Sequence, residues 1–428
     1  MALPSTRLVR AIPEPALSSL SCSRPTRCAV LGAGFAGLSV TWHLLKNSAK
    51  EHDLRIDLFD EAGIGGGASG VSGGLLHPYS PKGKLLSQGA DYWKECLMLL
   101  EVAESTRFSL EDLRNGQNSD QKHENVIVHR RGIVRPPTNM KSFNALHQNS
   151  SKCHPICKIE TINTETANTL VPNLCLPFNY AFYMPQAVTV NPLLYLKSLF
   201  SACEGLVKQS SQSVQGKKEL YLKEVAIQNL DQFEKLYDAV IICLGAKANM
   251  LPELSGRLPL RTCRGVVVQL QLPADKRAEY SEVIPSILSD AWLAVRGANS
   301  LQMGSTWDWK PRNLSSFVSE EETSKALSEL LPKVAAFYPD ITNWTFTEAV
   351  AGLRAMPPVT PQGSLPLLGC INHLLPKVSS CKVWLFGGLG SRGLLYHARL
   401  GNILAQAVLR GDENLIPSEL VLWKSMPN

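Results

Sequence analysis

Residues 28–60 carry the pattern that most restricts the fold of this chain. Cys28-Ala29-Val30-Leu31 is a short apolar run that ends in Gly32-Ala33-Gly34-Phe35-Ala36-Gly37, after which Leu38, Val40, Trp42, Leu44 and Leu45 recur at helical spacing. An apolar run bounded by glycine fits a strand buried on both faces. Leu54-Arg55-Ile56-Asp57-Leu58-Phe59-Asp60 reads as a second strand, with Ile56 and Leu58 on one face. Strand, glycine turn, helix and strand make a right-handed crossover unit. In such a unit Gly32 forms the tight turn, Gly34 lets the backbone approach a pyrophosphate, and Gly37 lets the helix pack on the sheet. The helix start then offers unpaired N–H groups and a positive dipole end to phosphate. Asp60, ending the second strand, can accept both hydroxyls of an adenosine ribose. Glu61 is the substitute, because Gly32 to Asp60 exceeds the usual spacing of about 20. The unit predicts dinucleotide binding.

At 428 residues the chain has room for two or three domains. Gly63 to Gly74 is too rich in glycine for a helix or strand interior. A helical pattern covers Ala90 to Leu113, and residues 114–125 read as a polar loop. Val126-Ile127-Val128 and Gly132-Ile133-Val134 read as two strands of a separate antiparallel sheet. Asn191-Pro192 opens another helix, with proline where its missing N–H matters least. Asp238 to Gly245 is a second buried strand ending in glycine, and alternation from Val266 to Leu272 suggests antiparallel sheet. Helical spacing returns at Glu320 to Phe337. Val383 to Phe386 is a last buried strand, running into Gly387-Gly388-Leu389-Gly390-Ser391-Arg392-Gly393 and a helix over Leu394 to Leu409. The expected class is α/β: a Rossmann-like dinucleotide domain (27–80, 186–262 and 350–428) with an inserted mixed antiparallel sheet domain for substrate (81–185 and 263–349).

Residues 1–26 read as an address. They hold Ser5, Ser18, Ser19, Ser21 and Ser23, several arginines, prolines and one acid, Glu14. That composition suits an organelle transit peptide and lacks the apolar segment of a secretory signal. The prolines favour the plastid, with the mitochondrion as the alternative. Arg7, Arg10, Arg24 and Arg27 against Glu14 supply half of the net charge of +6. The remainder is a weak electrostatic signature for a nucleic-acid binder. No apolar run approaches the roughly 18 residues a spanning helix needs, so no membrane segment is expected. The 11 cysteines show no zinc spacing. No metal site is predicted, and the thiols read as reduced.

Two further segments separate FAD from NAD. The loop Ser69 to Gly74, with Ser69, Gly70 and Gly73, supplies a hydroxyl, backbone donors and no bulk for a second contact to a long cofactor. Gly387 to Gly393, with Gly388, Gly390, Ser391, Arg392 and Gly393, repeats the strand–turn–helix arrangement of the first turn. Its helix start can face a flavin carbonyl and stabilise the charge of the reduced ring. Gly245 ends a neighbouring strand at the same side of the sheet. A cofactor touched at both ends of a chain suits FAD.

These residues resemble the D-amino-acid-oxidase-like (DAO) family of FAD oxidoreductases. The resemblance runs over nearly the whole chain after residue 26. It rests on Gly32 to Gly37, Gly67-Ala68-Ser69-Gly70, Val190-Asn191-Pro192, Asp238 to Ala246, Gly352-Leu353-Arg354, Thr360-Pro361-Gln362-Gly363 and Leu365-Pro366-Leu367-Leu368-Gly369. Within the family, Gly388 to Leu394, Leu76-His77-Pro78 and Met303-Gly304-Ser305 most resemble the flavin half of the bacterial tRNA wobble-uridine enzyme, which converts carboxymethylaminomethyluridine to aminomethyluridine. The resemblance implies hydride transfer from the α-carbon of an amine to flavin N5, with dioxygen or another electron acceptor reoxidising the flavin. It implies that Arg354 clamps a substrate carboxylate, for which a guanidinium fork is the matching group. His77 stands open between the flavin edge, a base and a structural histidine, and Arg392 between flavin, substrate and bracing its loop. Trp307, Trp309 and Tyr183 either wall an aromatic pocket or pack in the core. Gln362 and Val266 depart from the subgroup, where aspartate and glutamine often stand. No cysteine lies between Gly352 and Gly369, so the FAD is expected to be noncovalent. The expected partners are a small-molecule amine, with tRNA as the narrower alternative. A non-catalytic flavoprotein that assists assembly of another complex is the reading from a different class.

Overall fold

In the computed structural model, residues 24–112, 126–211, 216–279, 284–360, 362–375 and 381–426 are described. Most of the expected leader and the expected polar loop at 114–125 lie outside these residues. The first strand begins at Thr26, one residue before its expected start, and Arg24 pairs with Asp238 at 2.5 Å.

A six-stranded sheet runs in the order Leu367–Cys370, Lys382–Gly387, Ala239–Ile242, Thr26–Leu31, Leu54–Phe59 and Lys218–Lys223. All its pairings are parallel except the one between its first two strands. Ala239–Ile242 and the Cys28–Leu31 end of the first strand are apolar and buried because helices cover one face and a loop-rich layer covers the other. The first helix, Phe35–Asn47, buries Leu38, Val40, Trp42, Leu44 and Leu45. Each such side chain contributes about 1.5–3 kcal/mol on leaving water. The helix Gly393–Arg410 crosses it where Gly401 faces Ser39: a Cβ on Gly401 would stand 2.1 Å from Ser39 Oγ. That hydroxyl donates to the carbonyl of His397 at 2.8 Å.

The second layer is an eight-stranded sheet. Its order is Thr345–Met356, Arg261–Gln271, Ser300–Gly304, Trp292–Gly297, Ser286–Leu288, Ile133–Arg135, Tyr180–Met184 and Glu160–Asn163. It is antiparallel throughout, apart from the parallel pairing of Ser286–Leu288 with Ile133–Arg135. The helix Glu320–Ala335 buries Ala326, Leu330 and Val334 in the same core as this sheet.

Three expectations about organisation are corrected. The runs at 126–128 and 132–134 do not share a sheet. Val128–His129 pairs with Val188–Val190 in a small three-stranded sheet, whereas Ile133–Arg135 joins the eight-stranded one. The helix Gly89–Asp112 does not belong with the substrate sheet, because Tyr92, Trp93, Cys96, Leu99, Leu100 and Ala103 are buried in the core of the six-stranded sheet. Finally, the boundaries expected at 262/263 and 349/350 fall inside Arg261–Gln271 and Thr345–Met356, two long strands paired along their whole length. These strands carry the eight-stranded sheet against the glycine-dense loop. A Cβ on Gly352 would stand 2.9 Å from the Cα of Ala68.

Candidate active site

Where the two layers meet, a cavity of about 450 Å3 runs from the start of the first helix to the start of Gly393–Arg410, a size ordinary for a small-molecule site. Gly34, Ser69, Gly73, His77, Gly245, Arg354, Gly388, Gly390, Ser391, Arg392 and Gly393 all line it. Residues predicted from segments spread over the whole chain thus converge on one space.

The expected cofactor contacts that do not line the cavity shape it from behind. Gly32 has φ +109°, and a Cβ there would meet the carbonyl oxygen of Cys243 at 2.4 Å. Gly37 is more crowded, with 1.8 Å to the carbonyl oxygen of Gly32, and Gly70 would meet that of Gly65 at 2.1 Å. The Asp60 carboxylate accepts from Ala33 N at 2.8 Å and from Ala62 N at 3.0 Å, bracing the glycine turn. Each oxygen keeps a further acceptor site, so the ribose role survives beside the bracing one. Glu61 is the weaker candidate, because Lys247 pairs with it.

Ser69 Oγ accepts from Phe35 N at 3.1 Å, which caps the first helix from another loop. Its own O–H remains a donor. Leu38 N makes the first bond within the helix, to Gly34 O, so the amides of Ala36 and Gly37 have no helical acceptor. Free amides, a hydroxyl donor and glycines that no Cβ could replace form a cradle for phosphate.

At the other end, Gly388 and Gly390 adopt φ of +68° and +56°, conformations glycine takes without strain. Gly390 N donates to Ala355 O at 2.9 Å, tying this turn to the strand that carries Arg354. The first turn of Gly393–Arg410 lines the cavity and brings its positive dipole end to it. One cavity with a helix start at each end fits the phosphates and the ring of a single long dinucleotide. FAD is such a group.

Arg354 lies between these ends. Its Nη2 donates to Thr306 O at 2.8 Å, and its guanidinium carbon sits 4.0 Å from the centroid of the Trp307 ring. Burial lowers its pKa against a small opposing effect of Cys263. Among the described residues no carboxylate pairs with it, and most of its fork is unused. Arg354 is therefore neither tied up by a carboxylate nor turned out to solvent, the two conditions that would have favoured a non-catalytic flavoprotein.

His77 lines the cavity. Burial, followed by Arg135 and Arg392, holds the ring well below its ordinary pKa. Its Nδ1 accepts from Tyr79 N at 3.2 Å, so the single proton of the neutral ring is on Nε2. His77 is a hydrogen-bond donor. The aromatic-wall expectation holds only for Trp307, which lines the cavity and stacks on Trp309 with centroids 5.8 Å apart. Tyr183 packs against Gly132 and donates to Arg131 O at 3.0 Å, outside the cavity lining.

Sequence reasoning missed Arg135, Trp292 and Arg296. Arg135 lines the cavity, and Trp292 lines it while packing on Gly73 and Gly304. Arg296 is bonded to Val190 O and Ser72 O at 2.8 Å each, which fixes the glycine-dense loop. A visible signal existed for Arg135, a lone cation that ends an apolar strand run before Pro136-Pro137.

The model of the DAO family, described as FAD dependent oxidoreductase, matches residues 27–407. The "Uncharacterized oxidoreductase YurR" of Bacillus subtilis strain 168 is 23% identical over 393 residues, covering 89% of this chain and 94% of that protein. Glycine oxidase from Geobacillus kaustophilus superposes with a TM-score of 0.67 at 18% identity, over 93% of this chain and 98% of that one. Iminodiacetate oxidase from Chelativorans sp. BNC1 superposes with a TM-score of 0.65 at 17% identity, over 92% and 98%. The cavity closed by two glycine turns thus has its counterpart in a family description that covers nearly the whole ordered chain, and this chain belongs to the DAO family of FAD-dependent oxidoreductases.

Proposed function

We propose that this enzyme oxidises the C–N bond of an amine that carries a carboxylate, an amino acid or an N-substituted glycine. The observation that carries the proposal is the Arg354 guanidinium, which lines the flavin cavity with no carboxylate partner among the described residues. When bound, FAD supplies the acceptor for the hydride that leaves the substrate's α-carbon. The chain's own residues do the rest. Arg354 takes the carboxylate in its fork while Trp307 and Gly265 hold the guanidinium in place. Val71, Val267, Leu353 and Phe386 supply apolar wall that keeps water from the reacting carbon.

The lining also prepares the amine. Arg135, Arg354 and Arg392 face the cavity, while Asp290, an exposed residue, is the one carboxylate lining it among the described residues. Nearby cations disfavour an ammonium, so the amine gives up its proton to bulk water as it enters. The neutral amine has the lone pair needed to push out hydride, and no side chain is required as a base.

The glycine oxidase and iminodiacetate oxidase superpositions support an amine of this kind. A second reading makes the amine a modified uridine of tRNA. Its support is the stacked pair Trp307 and Trp309, 47% and 43% exposed, with Arg261 lying 4.4 Å over Trp309. Such a platform suits an unpaired base. The Ser- and Arg-rich leader supports a plastid address, and imaging of a fluorescent fusion carrying it checks that. The function is tested by anaerobic titration of the FAD-loaded protein with glycine, N-methylglycine and modified tRNA. Bleaching by an amine, lost in Arg354→Gln, is expected, and a flavin that no amine bleaches would sink the proposal.

A further inference from the structure

The cavity holds a second cationic station that the carboxylate clamp does not use. Arg135 ends the strand Ile133–Arg135 and is only 7% exposed. Its guanidinium donates to Ser80 O at 3.5 Å and Pro81 O at 2.5 Å, and its Nε is buried with no acceptor in the protein. Arg392 lies near enough to lower the pKa of Arg135 and donates to the preceding carbonyl, Tyr79 O, at 2.9 Å. Two guanidiniums thus grip three consecutive carbonyls, beside the Nε2-protonated ring of His77. Neither has a carboxylate partner among the described residues.

Two unpaired cations held close together in a partly desolvated wall repel each other and stay poorly solvated. An anion between them relieves both costs. The phosphates of the cofactor belong to the cradle at Gly34 and Ser69, on the first helix. Arg135 instead comes from the eight-stranded sheet, beside the cavity residues Leu288, Ser289 and Asp290. We infer that Arg135 and Arg392 bind a second carboxylate, at the end of the substrate away from the amine and its Arg354-bound carboxylate. The inference rests on the proposed amine oxidation and narrows its substrate to an elongated, dianionic amine.

Elongation follows from the topology. Arg354 and Arg135 stand on strands five apart in one sheet, on the order of 20 Å along a flat sheet at about 4.8 Å per strand. Long side chains converging on one cavity shorten that span, yet glycine alone cannot bridge it.

The test uses the FAD-loaded protein and reads ligand binding from perturbation of the flavin spectrum. The probes are acetate and the unbranched α,ω-dicarboxylates from malonate to sebacate. One dicarboxylate length is expected to bind at least tenfold tighter than acetate, and Arg135→Gln should remove that advantage while leaving acetate within about twofold. Equal affinity for acetate and every dicarboxylate overturns the inference. So does an Arg135→Gln protein that loses FAD rather than selectivity, since the pair then serves the cofactor. If that variant does not fold, Arg135→Lys and the wild-type length series still decide. Arg354→Gln separates the two proposals: acetate binding that survives it counts against the amine-carboxylate reading, whereas a missing length optimum counts only against the second station.

Discussion

Gly265 lies directly beneath the guanidinium of Arg354: a Cβ built on it would stand 1.8 Å from Nη2. The glycine is required by the side chain of a neighbouring strand, since Gly265 pairs with Gly352, two residues before the arginine. Gly265→Ala should therefore push the fork out of line without altering any contact to the cofactor cradle. The expected result is at least a tenfold loss of acetate affinity with FAD retained in full, read by flavin-spectrum titration. Unchanged acetate binding would show that the fork does not depend on this packing.

The first glycine turn makes a complementary prediction about the cofactor. A Cβ on Gly37 would meet the Gly32 carbonyl oxygen at 1.8 Å, whereas one on Gly67 would meet nothing within 4 Å. Gly37→Ala must separate the first helix from the turn, at a cost of about 1–3 kcal/mol by analogy with overpacked cores. It should purify with little FAD and a lowered Tm, while Gly67→Ala keeps both. The ratio of flavin to protein absorbance measures this directly, and a fully loaded Gly37→Ala protein would refute the assigned duty.

What could be read in advance was what is local. The turns at Gly32 to Gly37 and Gly387 to Gly393 announce themselves because strand, glycine and helix follow one another within about a dozen residues. Arg354 was recognisable through its flanking motif, not through its partners. Arg135 showed in the sequence only as a lone cation ending an apolar run, which says nothing of what it faces. Its place depends on Ile133–Arg135 pairing in parallel with Ser286–Leu288, a contact across some 150 residues that no periodicity reports. The helix Gly89–Asp112 was assigned to the wrong layer for the same reason, since its amphipathic face says that it is buried but not against what. The role of His77 turned on a single tautomer, set by the amide of Tyr79.

That tautomer has a kinetic consequence. Burial, Arg135 and Arg392 hold the His77 pKa well below the ordinary histidine value. The reductive half-reaction should therefore show no His77 inflection at the ordinary histidine pKa. His77→Phe should slow flavin reduction about tenfold, by loss of the donor, and keep the same pH profile. A limb present in the wild type and missing from His77→Phe would mean that His77 acts as a base.

Two buried histidines set the acid limit of the fold. Burial lowers His43 to about 4, partly opposed by a hydrogen bond to the backbone of Ala398. It lowers His397 to about 4 as well, where Nδ1 bonds Leu394 O at 2.8 Å and Nε2 meets Tyr195 Oη at 2.6 Å. Unfolded, each titrates near 6.5. Above pH 6.5 neither state binds the proton, and these groups leave stability unchanged. Between 6.5 and 4 the unfolded chain binds it and the folded chain does not, so stability falls as the pH falls, by up to about 3 kcal/mol for each histidine. Asp57 belongs to a lower range: burial raises its pKa, but Tyr237, Lys223 and Arg55 outweigh that and hold it below its ordinary value of 3.8. Denaturant midpoints of the FAD-loaded protein should therefore drop steadily from pH 7 to 4.5. His43→Met should remove about half of the slope, because a thioether fills the site and takes up no proton. Parallel slopes for the two proteins would mean that the acid sensitivity originates elsewhere.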